Sequence, residues 1–138
     1  MLSSIVRAPV QALQSSVGLA ILRTVLVCHA VAVLTESVFA GQFLSGSDGP
    51  VKFHELTGWI VLAISFSQIV IAALLLRAEG VSLMLLFGSI FVLLGEGLQI
   101  GTGYGRFLNV HVPLGVIIFG CVTAQAVSSF LKPGSLPK

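Results

Sequence analysis

Charge is scarce in this sequence. Only 9% of its 138 residues are Asp, Glu, Lys or Arg, while the apolar fraction is 56% and the mean hydropathy is +1.07. So few charges cannot clothe a water-soluble domain of this length. The net charge of +2 is spread over the ends of the apolar runs and gathers into no basic patch, which speaks against nucleic-acid binding. Cysteine is scarce as well. Cys28 and Cys121 lie inside apolar runs and form neither CxxC nor CxxCH, so no zinc site and no covalent haem attachment is indicated, and both read as packing residues.

Long apolar runs are what the chain does have. They cover 17–43, 51–76, 81–100 and 107–131, each near the ~20 residues that cross a bilayer as a helix. The predicted fold class is all-α: an integral membrane four-helix bundle, up-down-up-down, with short loops. Residues 1–16 read as a cytoplasmic juxtamembrane segment with no further structure, and 132–138 as a cytoplasmic, disordered tail. Val38-Phe39-Ala40 has the spacing of a signal cleavage site, but the run before it is far longer than the ~7–15 residues of a signal core and contains Arg23, His29 and Glu36, so it reads as a retained helix. Arg7, Arg77, Lys132 and Lys138 flank one side and only Lys52 and Arg106 the other, which predicts both termini in the cytoplasm.

The sequence also repeats. Shifting Phe53-His54-Glu55-Leu56-Thr57-Gly58 by 57 positions lands it on Val110-His111-Val112-Pro113-Leu114-Gly115, and without a gap Gln42 falls on Gln99, Gly46 on Gly103, Gln68 on Gln125, Val70 on Val127 and Leu74 on Leu131. A duplicated two-helix unit is the expectation. Helical stripes then run through His54, Gly58, Val61, Ser65, Gln68 and Ala72, and through His111, Gly115, Ile118, Val122, Gln125 and Ser129. Small and polar residues on one face are what a bundle interior needs when lipid surrounds it.

The turn Gly46-Ser47-Asp48-Gly49-Pro50 puts Pro50 at the opening of the second span, Arg77-Ala78-Glu79-Gly80 closes that span, and Pro113 is expected in the first turn of the fourth. His29 and Glu36, seven residues apart, share a face that should point into the bundle, because a charge at membrane depth costs about 2.5–3.5 kcal/mol on insertion scales. Arg23 is expected to snorkel to the cytoplasmic side. His29 has no repeat partner, Leu86 standing at the matching position; by helical rise it should join Gln68 and Gln125 in a structural hydrogen-bond network rather than a second metal site. The third span carries Gly88, Gly95, Gly97, Gly101 and Gly103, so a neighbouring helix or a flat ligand should approach it closely.

In such a bundle the second and fourth spans are diagonal partners, and their histidines face each other at one depth. A lone histidine at a membrane interface is usually an amphipathic residue at home near headgroups; two at repeat-equivalent positions on inward stripes read as ligands of one metal. Imidazole is a standard axial ligand of haem iron, Gly58 and Gly115 clear space one turn deeper, and Lys52 and Arg106 at the rim suit propionates. Glu36 and Glu96 fit two roles, acceptors for the outer N–H of a ligating histidine or protonatable carboxylates on a proton path.

The His-x-x-x-Gly openings at His54 and His111 resemble the haem-bearing even-numbered helices in one four-helix half of the haem A synthase family, and more loosely other bis-histidine membrane b-type cytochromes. The segments Ala40-Gly41-Gln42-Phe43-Leu44-Ser45-Gly46 and His111-Val112-Pro113-Leu114-Gly115 resemble small four-helix bacterial membrane proteins of unknown function. The resemblance implies an inner-membrane protein in which His54 and His111 are axial ligands of one haem b. With one such half rather than two, it implies an electron carrier or accessory subunit of a respiratory or photosynthetic complex more than an enzyme. Chlorophyll-type pigments also accept a histidine ligand. Two other readings stand beside it: a structural accessory subunit without cofactor, and a proton-coupled transporter using Glu36, similar in its four spans and first-span glutamate to small multidrug-resistance proteins. The expected partners are the bilayer and other subunits of a membrane complex.

Overall fold

The computed structural model describes residues 2–76 and 81–131, with side chains from residue 16 onward. Four helices account for almost all of it: α1 (Leu2–Leu44), α2 (Pro50–Leu76), α3 (Leu83–Tyr104) and α4 (Leu108–Ser128). There is no strand among the described residues. Each helix contains a stretch long and apolar enough to cross a membrane, Ser16–Leu44 in the case of α1. The helices pack in a ring, each against its neighbours in sequence, and α1 against α4 closes it. α2 and α4 therefore sit across the bundle from each other, as do α1 and α3.

The distribution of side chains is the inverse of a soluble protein's. Phe66, Phe87, Phe91, Leu94 and Val116 point outward, whereas His29, Ser65, Gln68, Ser89, Glu96 and Thr102 are buried. Apolar surface costs nothing against lipid, so what must be hidden is polar. Val61, Ser65, Gln68 and Ala72 of the α2 stripe are buried, with His54 and Gly58 half-buried at its start. On α4, Ile118 and Val122 are buried, and His111, Gly115, Gln125 and Ser129 half-buried. One apolar cluster, Leu22, Leu26, Ala72, Leu75 and Ala126, closes the bundle toward the end of α4. A second, Val33, Val61, Val92, Ile118 and Val122, fills the middle.

Several boundaries differ from the sequence reading. The helix of α1 starts at Leu2, so no break separates the first 16 residues from the first span. α3 starts at Leu83, behind an N-cap in which Ser82 Oγ accepts from Leu85 N–H, and runs on to Tyr104. Pro113 is the sixth residue of α4, not in its first turn, and leaves the carbonyl of Asn109 without its helical donor. Cys28 is exposed on α1 rather than packed, while Cys121 packs against the central cluster. Arg23 reaches toward the end of α4: its Nε donates to the carbonyl of Ser129, 2.8 Å away, and its guanidinium lies 5.1 Å from the centre of the Phe130 ring. A cation there meets carbonyls that the helix end leaves unpaired. Both the Arg77-to-Gly80 turn and the tail from residue 132 lie outside the described residues.

Gly46 and Gly103, matched by the 57-residue shift, do different work. Gly46 ends α1 in a left-handed turn with φ of 94°, Gly46 N–H bonding to Phe43 and Ser47 N–H to Gln42. The same closure follows α3, with Arg106 N–H on Gly103 and Phe107 N–H on Thr102, but the left-handed residue is Arg106, at φ 56°. That is three residues past the position matching Gly46. Gly103 consequently stays inside the helix, where its missing side chain lets another group come close.

Candidate bis-histidine site

At the end of the bundle where α2 and α4 begin, His54 and His111 meet across the ring. Their ring centres are 6.0 Å apart and their planes cross at 77°. Each imidazole is held by its Nδ1. On α4, His111 Nδ1 lies 2.9 Å from the backbone carbonyl of Gln99; a carbonyl only accepts, so the proton is on Nδ1 and Nε2 keeps its lone pair. Thr102 Oγ1 stands 3.5 Å from the same nitrogen. Helix α3 approaches closely enough for this because of Gly103: a Cβ there would lie 3.0 Å from His111 Cε1 and 3.2 Å from Nδ1.

On α2, His54 Nδ1 lies 2.6 Å from Glu36 Oε2, with side chains 27% and 15% exposed. The two groups are in close polar contact, with the carboxylate on the Nδ1 side of the ring. A carboxylate beside Nδ1 favours the proton on that nitrogen. Glu36 is fixed in turn by the Thr57 hydroxyl, which donates to its Oε1. Both rings are thus oriented from behind by acceptors on α1 and α3, and both Nε2 atoms are left free to accept.

The spacing of the rings matches that of two imidazoles on one metal. Two metal–nitrogen bonds of about 2.0 Å, and roughly 1.1 Å more from each nitrogen to its ring centre, place coaxial ligating imidazoles about 6.2 Å apart, close to the spacing found. The flanks are small. A Cβ on Gly58 would lie 3.9 Å from Glu36 Oε2, and one on Gly115 would lie 3.0 Å from Gln99 Nε2. The Gln99 amide and the Glu36 carboxylate are therefore the groups a macrocycle would meet first. Lys52 and Arg106 are exposed at this end of the bundle, in the first turn of α2 and the turn before α4. Among the described residues no three His, Cys, Asp or Glu side chains cluster as a metal site would need.

The other polar residues gather deeper. His29 Nδ1 lies 2.9 Å from Gln68 Oε1, and Gln68 Nε2 donates to Ser89 Oγ and Gln125 Oε1, each at 2.7 Å. The structure thus joins His29, Gln68 and Gln125. It also brings in Ser89, which the sequence did not single out although it is a lone hydroxyl in an otherwise apolar turn. Glu96 Oε1 lies 2.7 Å from His29 Nε2, so this carboxylate serves the buried histidine and not the pair at the rim. Of the two glutamates, Glu36 alone touches a rim imidazole. The Gln99 carbonyl was illegible as a partner, since any backbone offers one.

No protein-family model matches this sequence, and no curated protein or solved structure matches it either. The functional reading rests on the geometry of the chain's own residues.

Proposed function

We propose that this chain is a membrane b-type haem protein, an electron-transfer or accessory subunit of a larger membrane complex, with one haem between α2 and α4. The observation that carries the reading is the pairing of His54 and His111, ring centres 6.0 Å apart, each with Nδ1 turned to an acceptor and Nε2 free. In this reading the bundle is up-down-up-down and built from a duplicated two-helix unit. Pairing across the ring supports that: Gln68 and Gln125, 57 residues apart like the two histidines, also contact each other. Both termini are cytoplasmic, and the site lies near the outer face of the inner membrane.

When bound, haem supplies a one-electron centre. Glu36 and the Gln99 carbonyl hold the two imidazoles in the Nδ1–H tautomer and raise their basicity toward a metal. Lys52 and Arg106 would meet propionates, and the small residues Gly58 and Gly115 would border the group.

The test is the absorption spectrum of protein purified from membranes in mild detergent. A reduced-minus-oxidised Soret and alpha band is expected in the wild type and in Cys28→Ala, and is lost in both His54→Ala and His111→Ala. A colourless wild-type protein, recovered folded with partner subunits, would replace this reading with that of a cofactor-free structural subunit.

A further inference from the structure

Inside the bundle the polar contacts converge on His29. Gln68 Nε2 donates to two oxygens, Ser89 Oγ and Gln125 Oε1, while the Ser89 hydroxyl donates to the carbonyl of Leu85. The Gln68 amide engages His29 through Nδ1, 2.9 Å from Gln68 Oε1, which leaves the other ring nitrogen to a second partner. That nitrogen lies 2.7 Å from Glu96 Oε1. A bare imidazole nitrogen and a bare carboxylate oxygen would repel at that distance, so one proton sits between them. Both residues are buried, His29 completely and Glu96 to within 4%.

Two acceptors nearby have no donor. Glu96 Oε2 and Gln99 Oε1 are both buried and unpaired. They are three residues apart on α3, hence on one face and about 4.5 Å apart along the helix axis. Buried acceptors in such a position require a donor that the chain does not supply, and water is the usual one. Gln99 leads outward, since its side chain lies against Gly115 and its carbonyl holds His111. The opposite direction is shut by Leu22, Leu26, Ala72, Leu75 and Ala126. From the flanks, α2 presents Val61, Ser65 and Gln68 and α4 presents Ile118, Val122 and Gln125, none of them titratable, so the pair answers to no other charge at its own depth.

We propose that His29 and Glu96 form a buried proton-binding site in exchange with the aqueous phase on the His54–His111 side, through water held between Glu96 Oε2 and Gln99 Oε1. The site is closed toward the other side, and it goes beyond the haem reading without needing it. Beside a centre that changes charge, such a site supplies a proton that can be gained or lost in compensation.

Nuclear magnetic resonance of the whole protein in lipid bilayers transferred into D2O tests this. The shared proton gives a far-downfield signal, absent in Glu96→Gln. In the wild type it is expected to exchange roughly tenfold or more faster than the backbone amides of residues 26–33 around it, whose exchange requires the helix to open. In Gln99→Leu, which keeps the backbone carbonyl used by His111, the signal remains and its exchange slows by about the same factor. A shared proton as protected as those amides, or one whose exchange is unchanged in Gln99→Leu, would overturn the proposal. The wild-type comparison alone decides if a variant fails to fold, and it gives the same answer whether the protein is coloured or colourless.

Discussion

The two histidine clusters of this bundle are built from the same residue types and finished differently. In the interior, both nitrogens of His29 are engaged, by Gln68 and Glu96, and the ring is fully buried. At the rim, His54 and His111 each have one nitrogen engaged and are only half-buried. A histidine saturated by its neighbours holds helices together. One engaged on a single side keeps a ring nitrogen available to a partner. The difference lies in what faces each ring: an amide and a carboxylate from two other helices in the first case, another imidazole and glycines in the second.

The sharpest way to break the comparison is to unsaturate the interior. Gln68→Leu strands Nδ1 of His29 with no partner, and a buried polar atom left unpaired costs about 1–3 kcal/mol. Reversible unfolding in mixed micelles should show a loss of about 2 kcal/mol for Gln68→Leu, against well under 1 kcal/mol for His54→Ala, whose ring is partly exposed. Equal losses would mean that the rim is as structural as the interior.

A smaller effect of opposite sign is expected at the turn that shapes the rim. Arg106 holds a left-handed conformation, φ 56°, which costs a non-glycine residue roughly 1–2 kcal/mol. Arg106→Gly should therefore stabilise the protein by about 1 kcal/mol in the same unfolding measurement. If Arg106 meets a propionate, the same variant should also bind haem more weakly, which separates the residue's conformational cost from its use.

Smallest in stability, and most specific to the rim, is Gly103→Ala. The gain of at most about 1 kcal/mol from replacing a glycine in the last turn of α3 is offset by a Cβ only 3.0 Å from His111 Cε1. Net stability should stay within about 0.5 kcal/mol of wild type, while the imidazole nitrogen signals of His111 shift as its bond to the Gln99 carbonyl loosens. Unchanged His111 signals would show that the ring does not depend on the close approach of α3.

Much of this was legible beforehand, for identifiable reasons. Four spans follow from run length alone. The inward stripes of α2 and α4 follow from the cost of exposing polar groups to lipid, and the meeting of His29 with Gln68 and Gln125 follows from helical rise. What the sequence concealed depended on rotation and on chain ends. Glu96 could have served either histidine cluster, because its position on α3 gives a depth but not the direction in which neighbouring helices present their rings. The different roles of Gly46 and Gly103 were hidden because the sequence match carries no information on where each helix stops.

By itself, then, the order of residues determined that this chain forms four helices long and apolar enough to cross a membrane and turns His29, Gln68 and Glu96 inward, because periodicity and transfer energy act locally along each helix. Only the tertiary structure decided which histidine is saturated and which is left open. That choice turns on a few ångströms of approach between helices distant in sequence, as when Gly103 admits His111 to the carbonyl of Gln99.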